Sequence, residues 1–386
     1  MNIAFDAKRY FHNPTGLGHY SRTLVNGLIQ YFPDNQYFLT NPKPSNIFSA
    51  PDLNNVFEIN PPDNFYQFFT SLWRSKGVVE DLLKSDIQLY HGLSHEIPSG
   101  IQKTTIKSVV TIHDLIFEKY PKQYNWIDVW IYRKKIKAAC KHSNKIIAIS
   151  QQTKRDLIEI YNVPDEKIEV CYQSCNPAFS VQLPQDHLEC IRKRYNLPNN
   201  YLLYVGSIIE RKNLLNICKA IKLLKGSTLT VPPLIVIGEG GHYKAEVENY
   251  ILEENLEREI IFLSDDPVAK SIISFKSAED FPAIYQMATA MIYPSIYEGF
   301  GIPVLEALFS RIPVITSNIS CLPEAGGEGA FLIDPYQPSE IAAAIETILT
   351  NPTLVQEKIQ KGIIHAQKFD NKLVTSAVMD VYRELV

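Results

Sequence analysis

Residues 293–306, with the sequence YPSIYEGFGIPVLE, constrain the fold of this chain more than any other segment. The apolar run 290–293 predicts the end of a buried strand. Gly299 and Gly301 allow a tight turn and a close approach of the backbone to a ligand, and Pro303 suits the first turn of a helix. The segment therefore predicts a strand, a glycine turn and a helix N-terminus. Such a turn presents N–H groups and the positive end of the helix dipole to an anion, most naturally a phosphate.

Short apolar runs alternate with helical patterns along both halves of the chain, which predicts two doubly wound, Rossmann-like α/β domains. A chain of 386 residues is also too long for a single core. A proline-marked segment follows residue 176 and is the expected domain boundary. We therefore expect an N-terminal domain over residues 1–177 and a C-terminal domain over residues 178–368. Residues 369–386 are expected to form a helix that crosses back to the N-terminal domain.

Two glutamates, Glu298 and Glu306, flank the glycine turn with seven residues between them. Both carboxylates can lie beside the anion site, where the hydroxyl groups of a ligand need acceptors. The alternative is an ordinary helix start with one solvated acid and one glutamate that interacts with the helix dipole. The full string, YEGFGIPVLEA, resembles the signature of retaining glycosyltransferases of family 4, which have the GT-B fold.

This resemblance implies a role for each residue of the motif. In that family the first glutamate meets the transferred sugar, the amides after it hold the diphosphate, and the second glutamate accepts from the ribose. The sugar contact is thereby assigned to Glu298, and the ribose contact to Glu306. The diphosphate contacts are assigned to Gly299, Phe300 and Gly301. The resemblance covers nearly all of the chain and implies a GT-B fold with two domains that face an interdomain cleft. It makes the N-terminal domain the acceptor side and the C-terminal domain the nucleotide-sugar-binding side.

A second motif follows the apolar run 201–205, where Gly206 precedes a short loop that contains Arg211 and Lys212. It resembles a family motif whose basic residues neutralise the donor diphosphate. Because the leaving phosphate gains negative charge in the transition state, fixed cations at that place contribute to catalysis. Many relatives carry an arginine directly after the glycine, but this chain has Ser207. The role therefore falls to Arg211 and Lys212, with plain surface charge as the alternative.

Other glycines also follow apolar runs. Gly238 ends the run 234–237 and is expected to line the nucleotide side of the cleft. Gly16 and Gly18 are expected in a loop over residues 12–18, which in the resembled family closes over the donor phosphates; a flexible surface loop is the alternative. These two glycines lie about ten residues beyond the first strand, which is too far for a dinucleotide-binding fingerprint.

Polar residues stand at the predicted carboxyl ends of strands in the N-terminal half, where the chemistry of open α/β sheets gathers. The His113-Asp114 pair resembles the family's His-Asp, in which the histidine reaches the sugar or the acceptor. A buried structural histidine is the alternative for His113. For Asp6, His91 and His95 functional and structural interpretations stay open.

Two segments of the N-terminal half have an unusual composition. A dense aromatic cluster is expected to be buried under a loop, and an acceptor-facing or membrane-facing patch is the alternative; it comprises Phe65, Tyr66, Phe68, Phe69 and Trp73. A basic helix is expected over residues 128–142, with two tryptophans near its start. It is interpreted as a solvated helix, with a membrane-surface helix as the alternative.

Composition excludes several functional classes. The net charge of −4 argues against a nucleic-acid partner. The six cysteines form no Cys-x-x-Cys pair and are interpreted as reduced thiols of a cytoplasmic protein. The first residues do not resemble a signal peptide, and no run approaches the length of a membrane span. No Asp-x-Asp occurs, so we expect activity without a metal ion and without a cofactor.

The expected reaction is retaining transfer of a hexose-type sugar, of the mannose or the glucose and galactose type, to an acceptor hydroxyl. The donor is a nucleoside-diphosphate sugar, GDP- or UDP-linked, and the acceptor a glycan or a lipid-linked glycan in polysaccharide or surface-glycan assembly. The resemblance implies that the acceptor attacks on the face that the diphosphate leaves, without a covalent intermediate. The alternatives are an epimerase or phosphorylase of the same fold, or a non-catalytic sugar-binding scaffold. Residues 251–277 depart from the family pattern and leave the base open, and peripheral contact with the inner face of the membrane stays an option.

Overall fold

A computed structural model describes all 386 residues of the chain and contains two parallel β-sheets. The strands of the first sheet are β1 (Asn2–Asp6), β2 (Gln36–Thr40), β3 (Val56–Ile59), β4 (Leu89–Gly92), β5 (Lys107–Ile112), β6 (Lys145–Ala148) and β7 (Ile168–Val170). Those of the second are β8 (Leu202–Val205), β9 (Leu234–Ile237), β10 (Ile260–Phe262), β11 (Ala290–Tyr293), β12 (Val314–Ser317) and β13 (Ala330–Ile333). The orders are β3-β2-β1-β4-β5-β6-β7 and β10-β9-β8-β11-β12-β13.

Helices connect the strands on both sides of the sheets. In chain order they begin with α1 (Lys8–His12), α2 (Gly16–Tyr31), α3 (Asn64–Phe68), α4 (Thr70–Leu72), α5 (Val78–Lys84), α6 (Ile116–Lys119), α7 (Trp126–His142) and α8 (Gln151–Tyr161). They continue with α9 (Gln185–Arg194), α10 (Leu214–Lys225), α11 (His242–Glu253), α12 (Pro267–Ser271), α13 (Ile273–Lys276) and α14 (Phe281–Gln286). The last are α15 (Ile302–Phe309), α16 (Leu322–Gly326), α17 (Pro338–Thr350), α18 (Pro352–Ala366) and α19 (Asn371–Arg383).

The chain divides into two compact units, each built on one sheet. Unit 1 comprises residues 1–175 together with residues 369–386, and unit 2 comprises residues 176–368. The final helix α19 belongs to unit 1, where Val378 and Tyr382 join the core beneath β1 and β4. Each unit has an all-parallel sheet with helices between its strands, so the fold consists of two doubly wound α/β domains.

Each sheet has a point at which the strand order reverses, and the sequence places polar or glycine turns there. The central strands of unit 2 are short apolar runs that are buried throughout, as parallel strands covered on both faces must be. The reversal lies between β8 and β11 in unit 2 and between β1 and β4 in unit 1. Ligands of open α/β sheets bind outside the carboxyl ends of strands at such reversals.

The expected loop over residues 12–18 is partly wrong, because α2 already begins at Gly16. The side chain of Asn13 accepts from the N–H of Thr15 at 2.7 Å and from its hydroxyl at 2.6 Å. This local turn brings the chain so close that a Cβ on Gly18 would lie 1.7 Å from the carbonyl oxygen of Asn13. The glycines therefore occupy the first turn of a helix.

The expected burial of the aromatic cluster is wrong for three of its five members. Phe65, Phe68 and Phe69 are 55%, 82% and 48% exposed, whereas Trp73 is fully buried. The reason is that α3 and α4 are short helices that bury none of their residues. Only the π-helical turn that follows them directs the Trp73 indole inward, where its N–H donates to the carboxylate of Asp81 at 2.8 Å.

Candidate active site

The glycine turns that follow β8 and β9 pack directly against each other in unit 2. The N–H of Gly206 donates to the carbonyl of Ile237 at 2.9 Å. A Cβ on Gly238 would lie 1.9 Å from the carbonyl oxygen of Gly206, so only glycine fits there. Gly206 itself has φ +153°, a conformation that L side chains rarely adopt. These two predicted site residues therefore shape the backbone beside the strand-order reversal.

The carboxylate of Glu298 is held at one oxygen by three donors. Its Oε1 accepts from the hydroxyl of Ser295 at 2.7 Å and from that of Tyr293 at 2.9 Å. The guanidinium of Arg211 lies 2.8 Å from the same oxygen. Burial alone raises the pKa of Glu298, but the charges of Lys212 and Arg211 and these hydrogen bonds outweigh it. The pKa therefore lies below its usual range, and the group is a carboxylate at neutral pH.

The backbone of Glu298 is fixed by residues on the loop after β12. The N–H of Glu298 donates to the hydroxyl of Ser320 at 3.2 Å, and that hydroxyl lies 3.2 Å from the carbonyl of Glu298. The thiol of Cys321 donates to the same carbonyl at 3.1 Å. Ser320 adopts φ +60°, a left-handed conformation that is uncommon for a serine. Sequence reasoning did not identify this support, and the Ser-Asn-x-Ser pattern after β12 was its only signal.

Arg211 and Lys212 are adjacent in sequence but have different surroundings. Arg211 is buried, and besides its ion pair with Glu298 its guanidinium donates to the carbonyl of Tyr297. Its own carbonyl accepts from the N–H of Ile296 at 2.8 Å. Arg211 thus stabilises the loop after β11 and orients Glu298. These contacts fix the position of its guanidinium.

The ammonium of Lys212, in contrast, makes no hydrogen bond or ion pair within the protein. It lies 5.3 Å from the ring centroid of Tyr293, in a cation–π arrangement. A Cβ on Gly206 would lie 3.0 Å from its Nζ, so the absent side chain of that glycine leaves room for the amine. Burial lowers the pKa of Lys212, and Glu298 opposes the shift. The amine is therefore partly desolvated and available to a phosphate.

The N-terminus of α15 completes the same site. Gly301 precedes the helix with φ +104°, and a Cβ there would lie 2.7 Å from Cδ2 of Leu322. The N–H groups of Gly299 and Gly301 have no acceptor within the protein, so they can donate to an anion. The side chain of Phe300 is buried, which anchors the turn between these two amides.

Glu306 lies in the second turn of α15, and its Oε2 accepts from the hydroxyl of Tyr285 at 2.8 Å. Burial raises the pKa of Glu306 to about 7, although Tyr285 and Lys212 act in the opposite direction. A half-protonated carboxyl next to a phosphate site can exchange hydrogen bonds with ligand hydroxyls. Tyr285 was missed in the sequence, where it reads only as a buried aromatic residue of α14.

His113 follows β5 in unit 1 and is enclosed by the protein. Its Nε2–H donates to the carbonyl of Leu93 at 2.9 Å, and its Nδ1 accepts from the amide of Gln173 at 3.1 Å. The ring of Tyr20 packs edge-on against it at 4.6 Å between centroids. Burial lowers the pKa of His113 to about 3, so the imidazole is neutral. A direct contact of its nitrogens with a sugar requires one of these bonds to be exchanged.

His91 and Asp6 likewise have internal partners. His91 lies between the hydroxyls of Tyr382 and Thr111, at 2.5 and 2.8 Å from its two ring nitrogens. Asp6 forms a bidentate ion pair with Arg74, which holds its pKa below the usual range despite the opposing effect of burial. Gly16 and Gly18 lie at the start of α2, as described above.

No three His, Cys, Asp or Glu side chains are grouped so as to hold a metal ion. None of the helices is both long enough and apolar enough to cross a bilayer.

Comparison with known protein families identifies the family of this chain. The model of "Glycosyl transferases group 1" matches residues 190–365, and that of "Glycosyltransferase Family 4" matches residues 15–179. The chain belongs to the group 1 and family 4 glycosyltransferases. It is a glycosyltransferase with the GT-B fold, and the matched ranges contain all of the site residues described for unit 2.

Relatives of this glycosyltransferase are about a quarter identical to it over the aligned residues. It is 26% identical over 297 residues to O-antigen chain mannosyltransferase B of Escherichia coli, covering 77% of this chain and 74% of that protein. It is 28% identical over 246 residues to O-antigen chain mannosyltransferase RfbU of Salmonella typhimurium, covering 64% and 62%. The structure of Anabaena Alr3699/HepE in complex with UDP-glucose superposes with a TM-score of 0.73 at 16% identity, over 100% of both chains. At this sequence identity the similarity shows that the two proteins share a fold.

Proposed function

We propose that this glycosyltransferase moves a hexose from a nucleoside-diphosphate sugar to a hydroxyl of a glycan or lipid-linked glycan, with retention at the anomeric carbon and without a metal ion. The observation that carries the proposal is the convergence of three donors on Oε1 of Glu298. This arrangement leaves Oε2, which makes no hydrogen bond within the protein, to accept from hydroxyls of the donor sugar. It also fixes a negative charge that stabilises positive charge on the sugar ring.

The departing diphosphate is stabilised by fixed positive charge in unit 2. Lys212 supplies an unpaired ammonium, and the amides of Gly299 and Gly301 supply donors at a helix N-terminus. Arg211 keeps Glu298 oriented and adds a second cation. Because these groups neutralise the growing negative charge, the reaction does not need a divalent cation at the phosphates.

Retention follows from attack and departure on the same face of the sugar. The bond between the anomeric carbon and the diphosphate oxygen breaks, and the bond to the acceptor oxygen forms on the same side. The acceptor proton passes to the leaving phosphate oxygen. A double displacement would need a nucleophilic carboxylate close beneath the anomeric carbon. Glu298 is instead assigned to orienting the sugar through hydrogen bonds to Oε2, while the donors on Oε1 hold the carboxylate in place.

The sugar class is inferred from the relatives, of which two are named O-antigen chain mannosyltransferases. Mannose is therefore the first sugar to test, followed by glucose and galactose, and GDP and UDP are the first nucleotides. By the same reasoning the glycan belongs to a surface polysaccharide. In unit 1, His113 is proposed to reach the sugar or the acceptor. The segment that contains Gly16 and Gly18 is proposed to act on the donor phosphates.

The experiment that tests this function begins with thermal shifts in GDP, UDP, ADP and dTDP, in chelator and then with Mg²⁺ or Mn²⁺. A ligand at about a hundred times its Kd stabilises the fold by about 2.7 kcal/mol, which is measurable. The matching nucleotide sugar is then incubated with glycan acceptors, and the anomeric configuration of the product is read by NMR. An α-linked product from an α-linked donor in chelator is the expected result. An inverted product, or a strict metal requirement, contradicts it.

The same assay separates the alternatives. An epimerase or phosphorylase consumes the donor without forming a glycosylated acceptor. A non-catalytic scaffold binds the sugar nucleotide but leaves it intact over hours.

We also propose peripheral contact of unit 1 with the inner face of a membrane. Its α3 exposes Phe65 and Phe68, and Phe69 is exposed between α3 and α4. Trp126 and Trp130 of α7 are 77% and 53% exposed. On α7, Lys134 stacks 3.7 Å from the ring centroid of Trp130, and Lys137 and Lys141 follow on the exposed side. Exposed aromatics beside lysines suit the interface of a membrane that contains anionic lipids.

A further inference from the structure

Unit 1 contains a cavity of about 370 Å³ outside the carboxyl ends of β1, β4 and β5, referred to below as the unit 1 cavity. Its size is that of a small-molecule site. Side chains on its lining include Lys8, Arg9, His95, Asp114, Tyr124 and Tyr132. None of these residues is among those assigned to donor binding in unit 2.

The charges around the unit 1 cavity are unequally matched. The guanidinium of Arg74 holds the carboxylates of both Asp6 and Glu96, and Lys135 approaches the second oxygen of Glu96 at 2.8 Å. Two cations and two carboxylates therefore compensate each other in one closed network. This network also fixes the wall of the cavity between β1 and β4.

Lys8 and Arg9 remain outside that network. Both are half-buried, and neither side chain lies within hydrogen-bond or ion-pair distance of an acceptor in the protein. Burial, followed by the charges of Arg74 and Arg9, lowers the pKa of Lys8. Glu96 and Asp6 oppose this shift, but both carboxylates are already held by Arg74, and Lys135 also contacts Glu96. Asp114 is the other carboxylate on the lining, so an anion beside Lys8 and Arg9 would meet two cations that have no ion-pair partner of their own and that repel each other.

The remaining lining is suited to a sugar. His95 adopts φ +62°, and its Nδ1 is buried without a hydrogen-bond partner, so a ligand hydroxyl can satisfy it. Tyr124 and Tyr132 form an aromatic wall, with their rings edge-on at 6.5 Å between centroids. An aromatic face beside polar groups is the usual composition of a site for an amphipathic ring such as a pyranose.

We propose that the unit 1 cavity binds an anionic group of the acceptor, a phosphate or a carboxylate, through Lys8 and Arg9, with the adjoining sugar between His95 and the two tyrosines. That the anion belongs to the acceptor rests on the proposed function; the anion site itself does not. The negative group has two sources, a diphosphate that links a glycan to its lipid or a charged sugar of the glycan.

The test is isothermal titration calorimetry of four probes: pyrophosphate, mannose 6-phosphate, glucuronate and mannose. All titrations use Lys212→Met as the background, which removes the phosphate-binding amine of unit 2. We expect at least one anionic probe to bind about tenfold more tightly than mannose. Adding Lys8→Gln with Arg9→Gln should weaken that probe about tenfold or more, whereas adding Lys141→Gln, an exposed cation elsewhere on unit 1, should not.

Circular dichroism shows whether the variants fold, and Lys8→Arg with Arg9→Lys should restore binding because both charges return. Preference for pyrophosphate assigns the anion to the lipid linker, and preference for a charged sugar assigns it to the glycan; either result supports the site. The proposal is overturned if no anionic probe binds, if mannose binds equally well, or if Lys8→Gln with Arg9→Gln leaves binding unchanged. Nucleotide shifts on the Lys8→Gln/Arg9→Gln protein with Lys212 intact report the donor site separately, so failure of one proposal is distinguishable from failure of the other.

Discussion

The guanidinium of Arg211 lies 2.8 Å from the carboxylate of Glu298, and both groups are largely buried. Arg211 reaches Glu298 from the turn after β8, whereas Glu298 follows β11, so the ion pair joins the two strands at which the sheet order reverses. An ion pair in such a place fixes the geometry of the site more than it stabilises the fold, because desolvation of two charges offsets much of their attraction.

Substituting Glu298→Gln should abolish turnover while nucleotide binding stays nearly intact. Glutamine keeps the shape of the side chain but removes the charge that stabilises the sugar ring in the transition state. We expect a loss of at least about 100-fold in kcat and a change in nucleotide Kd below about threefold. The measurement pairs steady-state transfer with calorimetric titration of the nucleotide. Equal losses in both quantities would contradict the assigned role.

Substituting Lys212→Met, unlike Glu298→Gln, should weaken nucleotide binding. The amine has no partner in the protein, so its loss removes a contact to the donor phosphates without leaving a buried charge unpaired. We expect the nucleoside-diphosphate Kd to rise about 10- to 100-fold with little change in melting temperature. Lys368→Met, at an exposed lysine of the same unit, is the matched control. A Lys212 variant with wild-type affinity would show that the phosphates bind elsewhere.

The parts of this site that follow from local patterns were predictable from the sequence. Short apolar runs predicted β8, β9 and β11 within a residue, with a glycine directly after β8 and β9 and a proline after β11. A buried parallel strand and its turn leave a signature in a few adjacent residues. The positions of Glu298, Lys212 and Glu306 follow from the same motifs. Their hydrogen-bond partners do not, since Ser320 reaches Glu298 from the loop after β12, 22 positions along the chain.

Other features depend on what covers a surface, which no local pattern records. The aromatic residues around Phe68 have the composition of a core segment, yet α3 buries none of its residues. His91 and Tyr382 are 291 positions apart in the chain and share a hydrogen bond of 2.5 Å. The sequence leaves the role of His91 open and does not single out Tyr382, because their pairing depends on the place where α19 docks in unit 1.

Nucleotide binding should release protons near neutral pH through Glu306, whose pKa is raised to about 7 by burial. The pKa of Glu306 is higher in the fold than in the unfolded chain, where it is about 4.5. The group therefore contributes to the stability of the unliganded protein below a pH of about 4.5, and this contribution is lost as the pH rises through about 7. Hydrogen bonds from ribose hydroxyls favour the carboxylate and so lower this pKa in the complex. We expect about half a proton to be released at pH 7.

Calorimetry in buffers of different ionisation enthalpy measures this release directly. The Glu306→Gln variant cannot release the proton and should show the same binding enthalpy in every buffer. A wild-type enthalpy that does not depend on the buffer would contradict the ribose contact proposed for Glu306.

Substituting Gly238→Ala should destabilise unit 2, because the added methyl group would meet the carbonyl oxygen of Gly206 at 1.9 Å. Backbone must move to accommodate it, and overpacking of this kind costs about 3 kcal/mol. Gly226→Ala is the control, since that glycine has helical φ and open space around its Cβ position. Thermal unfolding should show a clear loss for the first variant and a change below about 0.5 kcal/mol for the second. Equal stability of both variants would mean that the turns after β8 and β9 are not packed as described.

Removing the exposed aromatic side chains of unit 1 should weaken binding to anionic vesicles without affecting donor chemistry. Phe68 and Trp126 are 82% and 77% exposed, so Phe68→Ser with Trp126→Ser removes apolar area that contributes nothing to the core. Each large side chain withdrawn from the interface costs about 1–2 kcal/mol of partitioning, and we expect at least about a tenfold loss in flotation with phosphatidylglycerol vesicles. Ile364→Ser, which removes a 64% exposed apolar side chain from unit 2, should leave flotation unchanged.

Binding of the wild type to these vesicles should also fall as salt is raised, because the lysines of α7 are screened. Wild-type flotation of the double variant would assign the exposed aromatics to a different partner. Undiminished sugar transfer by the same variant to a water-soluble acceptor would confirm that the active site is intact.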